Sequence, residues 1–166
     1  EEAVLKVKKP GIDHIIELDT TILYHIAVII EKRMPELEYY NPVKLVNEFS
    51  STIKKELDFT REGRNNDIVR LNFKENEMLV VPKIYWDYTV KNVLVMEYII
   101  GEPMAEFLAR ESSNRHDIAV KGANIFLKQI LEDGFFHADT HPGNIFVVNE
   151  RKLAFIDYGM VGVFDE

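Results

Sequence analysis

His137-Ala138-Asp139-Thr140-His141-Pro142-Gly143-Asn144, followed by Asp157-Tyr158-Gly159, is the stretch that decides the fold. Between the two pieces, Asn144 to Val148 and Leu153 to Ile156 read as strands and Asn149 to Arg151 as the turn joining them. A hairpin therefore carries Asp139 and Asn144 at its entrance and Asp157 at its exit. Phosphoryl transfer from ATP needs a carboxylate beside the acceptor hydroxyl and oxygen ligands that hold Mg2+ against the phosphates. On that logic Asp139 orients or deprotonates the acceptor, while Asn144 and Asp157 are the metal ligands and Gly159 lets the chain turn. Two other readings of the same residues stand beside it. Asp139 and Asn144 could cap turns in a Pro-Gly loop, or His137, Asp139 and His141 could form a zinc-type site. The zinc reading finds no paired ligands among His14, His25 and His116, and leaves Asn144 and Asp157 without a role.

Upstream of this stretch, Arg115 to about Glu132 and Pro103 to Arg110 read as helices, and the loop Phe135 to Gly143 follows them. Met78 to Val81 and Val93 to Met96 read as strands, with a further strand expected at Ile84 to Trp86. Glu97, Tyr98 and Ile99 then lead toward Gly101 in a connector, where the Glu97 carbonyl and Ile99 amide could pair with an adenine edge. From Ile12 to about Met34 apolar residues recur at helical spacing. Asn41-Pro42 starts a second long helix, which the pattern carries through Leu57 toward Ile68 and Leu71, with Gly63 its weakest point. The chain opens on a short strand, Ala3 to Val7, broken by Lys8-Lys9-Pro10-Gly11. Lys6 inside that strand either faces water at an edge or needs a charged partner. In a phosphoryl-transfer site the partner is a helix carboxylate, and Glu62 is the candidate.

Composition narrows the function classes. The net charge of −8 disfavours nucleic acid, whose phosphates require clustered Lys and Arg. Cysteine is absent, which removes disulfides, thiolate metal sites and Cys nucleophiles. No apolar run approaches the roughly 20 residues that span a bilayer, so a cytoplasmic or peripheral membrane location is expected of this chain. The element order, a strand and two helices, then strands, then a mostly helical part with a late hairpin, predicts an α+β architecture of two lobes meeting near Met96 to Gly101.

Phe135-Phe136-His137-Ala138-Asp139-Thr140-His141-Pro142-Gly143-Asn144-Ile145-Phe146-Val147, with Phe155-Ile156-Asp157-Tyr158-Gly159-Met160, resembles the UbiB/AarF family of atypical kinases. Ala3 to Ile12 resembles the family's lysine-bearing strand and Pro-Gly turn. Glu56-Leu57-Asp58-Phe59-Thr60-Arg61-Glu62 resembles its E-x-D motif and helix glutamate. The resemblance implies a protein-kinase-like two-lobe fold truncated at both ends, with residues 1–98 a partial N-lobe and 99–166 a partial C-lobe. It makes Lys6 the phosphate lysine, Glu62 its partner, and Glu56 and Asp58 acids that position or restrain the nucleotide pocket. It implies ATP and Mg2+ as cofactors and a kinase or ATPase activity linked to isoprenoid-quinone metabolism. A lipid or quinone-precursor ligand, and association with a membrane or biosynthetic complex through parts outside this chain, belong to the same implication. The family's alanine-rich loop and K-x-G-Q segment are expected before Lys6, and further helices after Glu166. Two alternatives remain: a nucleotide-binding regulatory module with little turnover, and an aminoglycoside-kinase-like phosphotransferase, against which the E-x-D segment argues.

Overall fold

Strand alternation decides what the first element does. In the computed structural model, which describes residues 2–111 and 114–164, β1 (Ala3–Val7) exposes every second residue, so Val4 and Lys6 share its inner face. Val4 packs on a small core of Phe59, Ile84, Leu94 and Met96. β1 pairs with β3 (Val93–Glu97).

Two compact units emerge. One comprises Val7–Asp58 and the other Glu1–Lys6 with Phe59–Glu166. The first is a helical hairpin of α1 (Ile12–Arg33) and α2 (Pro42–Glu56), joined by a 3-10 turn at Pro35–Tyr40. The start of α2 falls where Asn41-Pro42 predicts, but for another reason. Asn41 adopts a left-handed conformation and its side chain caps nothing; Glu31 of α1 accepts the Val43 amide at 3.0 Å instead.

The expected single second helix is two helices. α2 closes with the Leu57 and Asp58 amides bonded back to Ile53 and Lys55, and α3 (Phe59–Asn72) begins anew because the Phe59 amide bonds to the Lys91 carbonyl. The break resets the helical phase. Phe59, Glu62, Gly63, Asn66 and Val69 form the buried stripe of α3, while Ile68 and Leu71 face outward. Gly63 is therefore a packing position: a Cβ there would lie 2.9 Å from the Trp86 ring.

The second unit's main sheet runs β2 (Leu79–Val80), β7 (Lys152–Phe155), β6 (Ile145–Val148) and β4 (Glu102–Pro103), with β2 parallel and the others antiparallel to their neighbours. Asn149 and Glu150, both at positive φ, make the β6–β7 turn, and the Arg151 amide bonds to Val148 across it. α4 (Met104–Ala109) and α5 (Arg115–Leu131) supply Phe107, Ile118 and Ile125 to the core, with Leu153 and Phe155 from β7. Two expectations need correction here. Only Ile84 of Ile84–Trp86 makes a bridge, to Met96, and Trp86–Tyr88 is a 3-10 turn. The expected loop from Phe135 contains β5 (Phe135–His137), paired antiparallel with β8 (Val161–Val163). Among the described residues no helix is long and apolar enough to cross a membrane.

Candidate active site

Lys6 reaches from β1 to α3 and to the end of β7. Its Nζ lies 2.8 and 2.9 Å from the two Glu62 oxygens and 2.8 Å from Asp157 Oδ2. Three residues separated by up to 151 positions thus form one charged centre. The local reasons are simple. Lys6 follows the inner face of β1, Glu62 sits one turn after Phe59 on the buried stripe of α3, and Asp157 emerges where β7 ends.

The electrostatics are those of two carboxylates sharing one ammonium. Burial alone would push the Lys6 pKa down, but Glu62 and Asp157 together raise it. Burial pushes the carboxyl of Glu62, 4% exposed, upward, and although Lys6 pulls it down, the neighbouring Asp157 charge adds to the rise and the net shift is upward. For Asp157 burial works upward too, yet the hydrogen bonds from Lys6 and the Gly159 amide hold its carboxyl below the usual carboxylate range. The Gly159 amide donates to Asp157 Oδ1 at 2.9 Å, and a Cβ on Gly159 would press within 3.2 Å of that oxygen.

Asp139 and Asn144 form the second cluster. Asp139 Oδ2 accepts from Asn144 Nδ2 at 3.2 Å and its Oδ1 from the His141 amide at 3.2 Å. The loop is tied to the Asp157 segment by the Ile156 amide on the Asn144 carbonyl, 3.2 Å, and by the Ala138 amide on the Met160 carbonyl, 3.0 Å. Between the clusters His137 is 2% exposed, and burial pushes its pKa down against the opposing influence of Asp157 and Asp139. Its Nδ1 accepts the Asp139 amide at 3.1 Å. That nitrogen is thus spent on the loop, and among the described residues no group of three or more His, Asp or Glu is placed to hold a metal by itself. The His137, Asp139 and His141 zinc reading loses its geometry.

Glu97 ends β3, with its amide on the Lys83 carbonyl at 2.8 Å and its carboxylate accepting the Lys83 amide at 3.1 Å. Ile99 lies two residues on, in a connector anchored by the Tyr98 amide on the Glu2 carbonyl at 3.4 Å. Glu56 is the last residue of α2 and Asp58 lies just beyond it, both in the Val7–Asp58 unit rather than the one that holds Lys6, Glu62 and Asp157. Sequence reasoning passed over three amides. Asn65 donates to the Tyr158 carbonyl at 2.9 Å, Asn66 to the Pro82 carbonyl at 2.7 Å, and Gln129 accepts the His137 amide at 2.8 Å. The available signal was a polar residue on an apolar stripe: Asn66 falls in phase with Phe59, and Gln129 with Ile118 and Ile125.

The donor set suits a divalent cation with phosphates. Glu62 and Asp157 leave an excess negative charge over Lys6, and Asn144 spends its amide nitrogen on Asp139, not its oxygen.

The pattern that describes the ABC1 atypical kinase-like domain matches residues 1–166. A probable protein kinase UbiB from Marinobacter nauticus is 43% identical over 168 residues, which cover 98% of this chain and 31% of that protein. Another from Cellvibrio japonicus is 40% identical over 167 residues, covering 97% of this chain and 30% of that protein. The chain thus spans less than a third of the length of these curated relatives. In structure it is similar to Rv3197 from Mycobacterium tuberculosis, solved in complex with erythromycin, with a TM-score of 0.84, 23% identity, and coverage of 97% of this chain and 40% of that one. At that identity the likeness bears on the fold alone.

Proposed function

We propose, from the premise that this chain belongs to the ABC1 atypical kinase-like domain family, that it holds an ATP- and Mg2+-dependent phosphoryl-transfer site. The site acts as a kinase or ATPase linked to isoprenoid-quinone lipid metabolism, as the UbiB resemblance implies. The observation that carries the reading is the Lys6 ammonium held between Glu62 and Asp157. A lysine so placed can turn from Asp157 to the α- and β-phosphates while Glu62 keeps its position. Magnesium supplies charge neutralisation on the phosphate oxygens when bound, and Asp157 and the Asn144 side-chain oxygen are the residues to hold it. Asp139, its carboxylate fixed by the His141 amide and Asn144, accepts the proton of the attacking hydroxyl or water as the γ-phosphoryl group leaves ADP. Glu97 and Ile99 offer backbone groups to the adenine edge. In this reading residues 1–98 and 99–166 belong to the two lobes.

Calorimetric titration of Mg2+-ATP into the chain and into Asp157→Asn tests the reading. Binding that needs magnesium and is lost in the variant is the expected result. Equal binding by both, or none by the folded chain, refutes the assignment of Asp157. Asp139→Asn should retain binding and lose turnover by about a hundredfold or more; unchanged turnover would favour a site in which Asp139 is not the base.

A further inference from the structure

Among the described residues the β5–β8 pair has two strands, so β5 has one edge without a strand partner there. The Ala138 amide points to β8, where Met160 accepts it. Alternation then sends the His137 amide to the opposite, unpaired edge. His137 is buried there, beyond the reach of bulk water. Gln129, wholly buried on α5, meets that amide with its Oε1 at 2.8 Å. Only the oxygen of a side-chain amide can accept from a backbone N–H. The bond therefore fixes the orientation of Gln129 and leaves its Nε2 buried without a partner among the described residues. A polar side chain retained in a core at that cost calls for a reason.

The reason lies one bond further on. His137 Nδ1 accepts the amide of Asp139, and the His137 ring packs against the two aromatic residues on either side of the Asp157 segment. Accepting at Nδ1 places the ring proton on Nε2. Its rings packed around it are Phe155 and Tyr158, at centroid distances of 5.5 and 5.3 Å. The hydrogen bond of Gln129 goes to the His137 backbone and not to Asp139, Asn144 or Asp157. It holds the backbone from which the His137 ring reaches both the Asp139 and the Asp157 segments.

We infer that Gln129 is a positioning residue, whose amide oxygen fixes His137 and through it the register between the Asp139 loop and the Asp157 turn. Its effect on turnover rests on the phosphoryl-transfer reading above; its effect on His137 does not. The test compares the chain with Gln129→Leu, which removes the acceptor, and Gln129→Glu, which keeps an oxygen there. The tautomer of His137 is read from its ring nitrogen shifts and the protection of its amide from hydrogen exchange. In the native chain and Gln129→Glu, His137 should be a single Nε2–H tautomer with a protected amide. In Gln129→Leu the tautomers should mix and the amide should exchange at least tenfold faster. ATP turnover should fall at least tenfold in kcat with KM for ATP within about twofold, and recover in Gln129→Glu. An unchanged tautomer and protected amide in folded Gln129→Leu overturn the inference, as does Gln129→Glu behaving like Gln129→Leu. A raised KM with kcat intact overturns it too. If Gln129→Leu does not fold, Gln129→Glu decides alone: a retained tautomer and amide support the inference and their loss refutes it. If no form turns over ATP, the functional reading fails while the His137 comparison still decides the role of Gln129.

Discussion

Lys6 and its two acids form a centre whose members depend on one another unequally. Glu62 is nearly sealed, while Lys6 and Asp157 keep about a third of their side-chain surface, at 33% and 35%. Lys6→Met would leave two carboxylates without their cation, one of them buried. Breaking a buried pair costs about 3–5 kcal/mol, and the partial exposure of Lys6 brings the expected loss to about 2–3 kcal/mol. Denaturant unfolding of the two forms measures it. The sign of its pH dependence follows from the raised Lys6 pKa. The contribution is present below the unfolded value near 10.5 and is lost as pH rises through the folded one, so at the alkaline end the gap between the forms should narrow above that region. Asp157 behaves oppositely. Its folded pKa is depressed, so the stability it adds is present above its ordinary 3.8 and disappears as pH falls through the lower folded value. The melting temperatures of the native chain and Asp157→Asn should therefore converge in acid.

At the scale of elements, the start of α3 matters most, because it sets which residues join Lys6. A continuous helix through Leu57 would have placed Ile68 and Leu71 on the inner stripe; the restart at Phe59 places Val69 there and brings Glu62 with it. Gly63 lies on the same stripe, where the ring of Trp86 approaches too closely for a Cβ. Gly→Ala in a helix normally stabilises by about 1 kcal/mol. Here overpacking should reverse the sign, with Gly63→Ala costing about 1–2 kcal/mol. Trp86 is the chain's one tryptophan, held by its Nε1 on Asp67 at 2.7 Å, so its emission should shift in the variant. An unshifted spectrum and a stabilised protein would contradict the packing argument. The β5–β8 pair shows the same close fit. Any Cβ on Gly162 would overlap the Phe136 ring across the strands, so Gly162→Ala should destabilise the pair that carries His137 and Ala138, by about 1–3 kcal/mol in urea unfolding.

The whole molecule divides between Val7–Asp58 and the rest. Trp86 reports on one unit, whereas helical circular dichroism also reports on α1 and α2 in the other. The two signals should unfold with midpoints that do not coincide; superposed curves would mean one cooperative unit. The expected α+β, kinase-like fold is borne out by the family match and by the likeness to Rv3197. Much of it was legible because it is local: β1, α1, α5 and the β6–β7 hairpin follow from side-chain periodicity, Pro and Gly placement, and turn-forming Asn149. On the proposed phosphoryl-transfer reading the motif residues were legible because that chemistry restricts which side chains can serve, and the structure draws Lys6, Glu62 and Asp157 together. What escaped the sequence depends on partners far along the chain. The break before α3 needs the Lys91 carbonyl, β5 needs β8, and the place of Gln129 needs a strand edge with nothing else to accept its amide. By itself the sequence determined the α+β, kinase-like fold class and most of the local elements, and singled out the residues proposed for the site. Only the tertiary structure decided where the helices restart and which buried amides hold the site, because a backbone hydrogen bond chooses its partner by proximity and not by residue type.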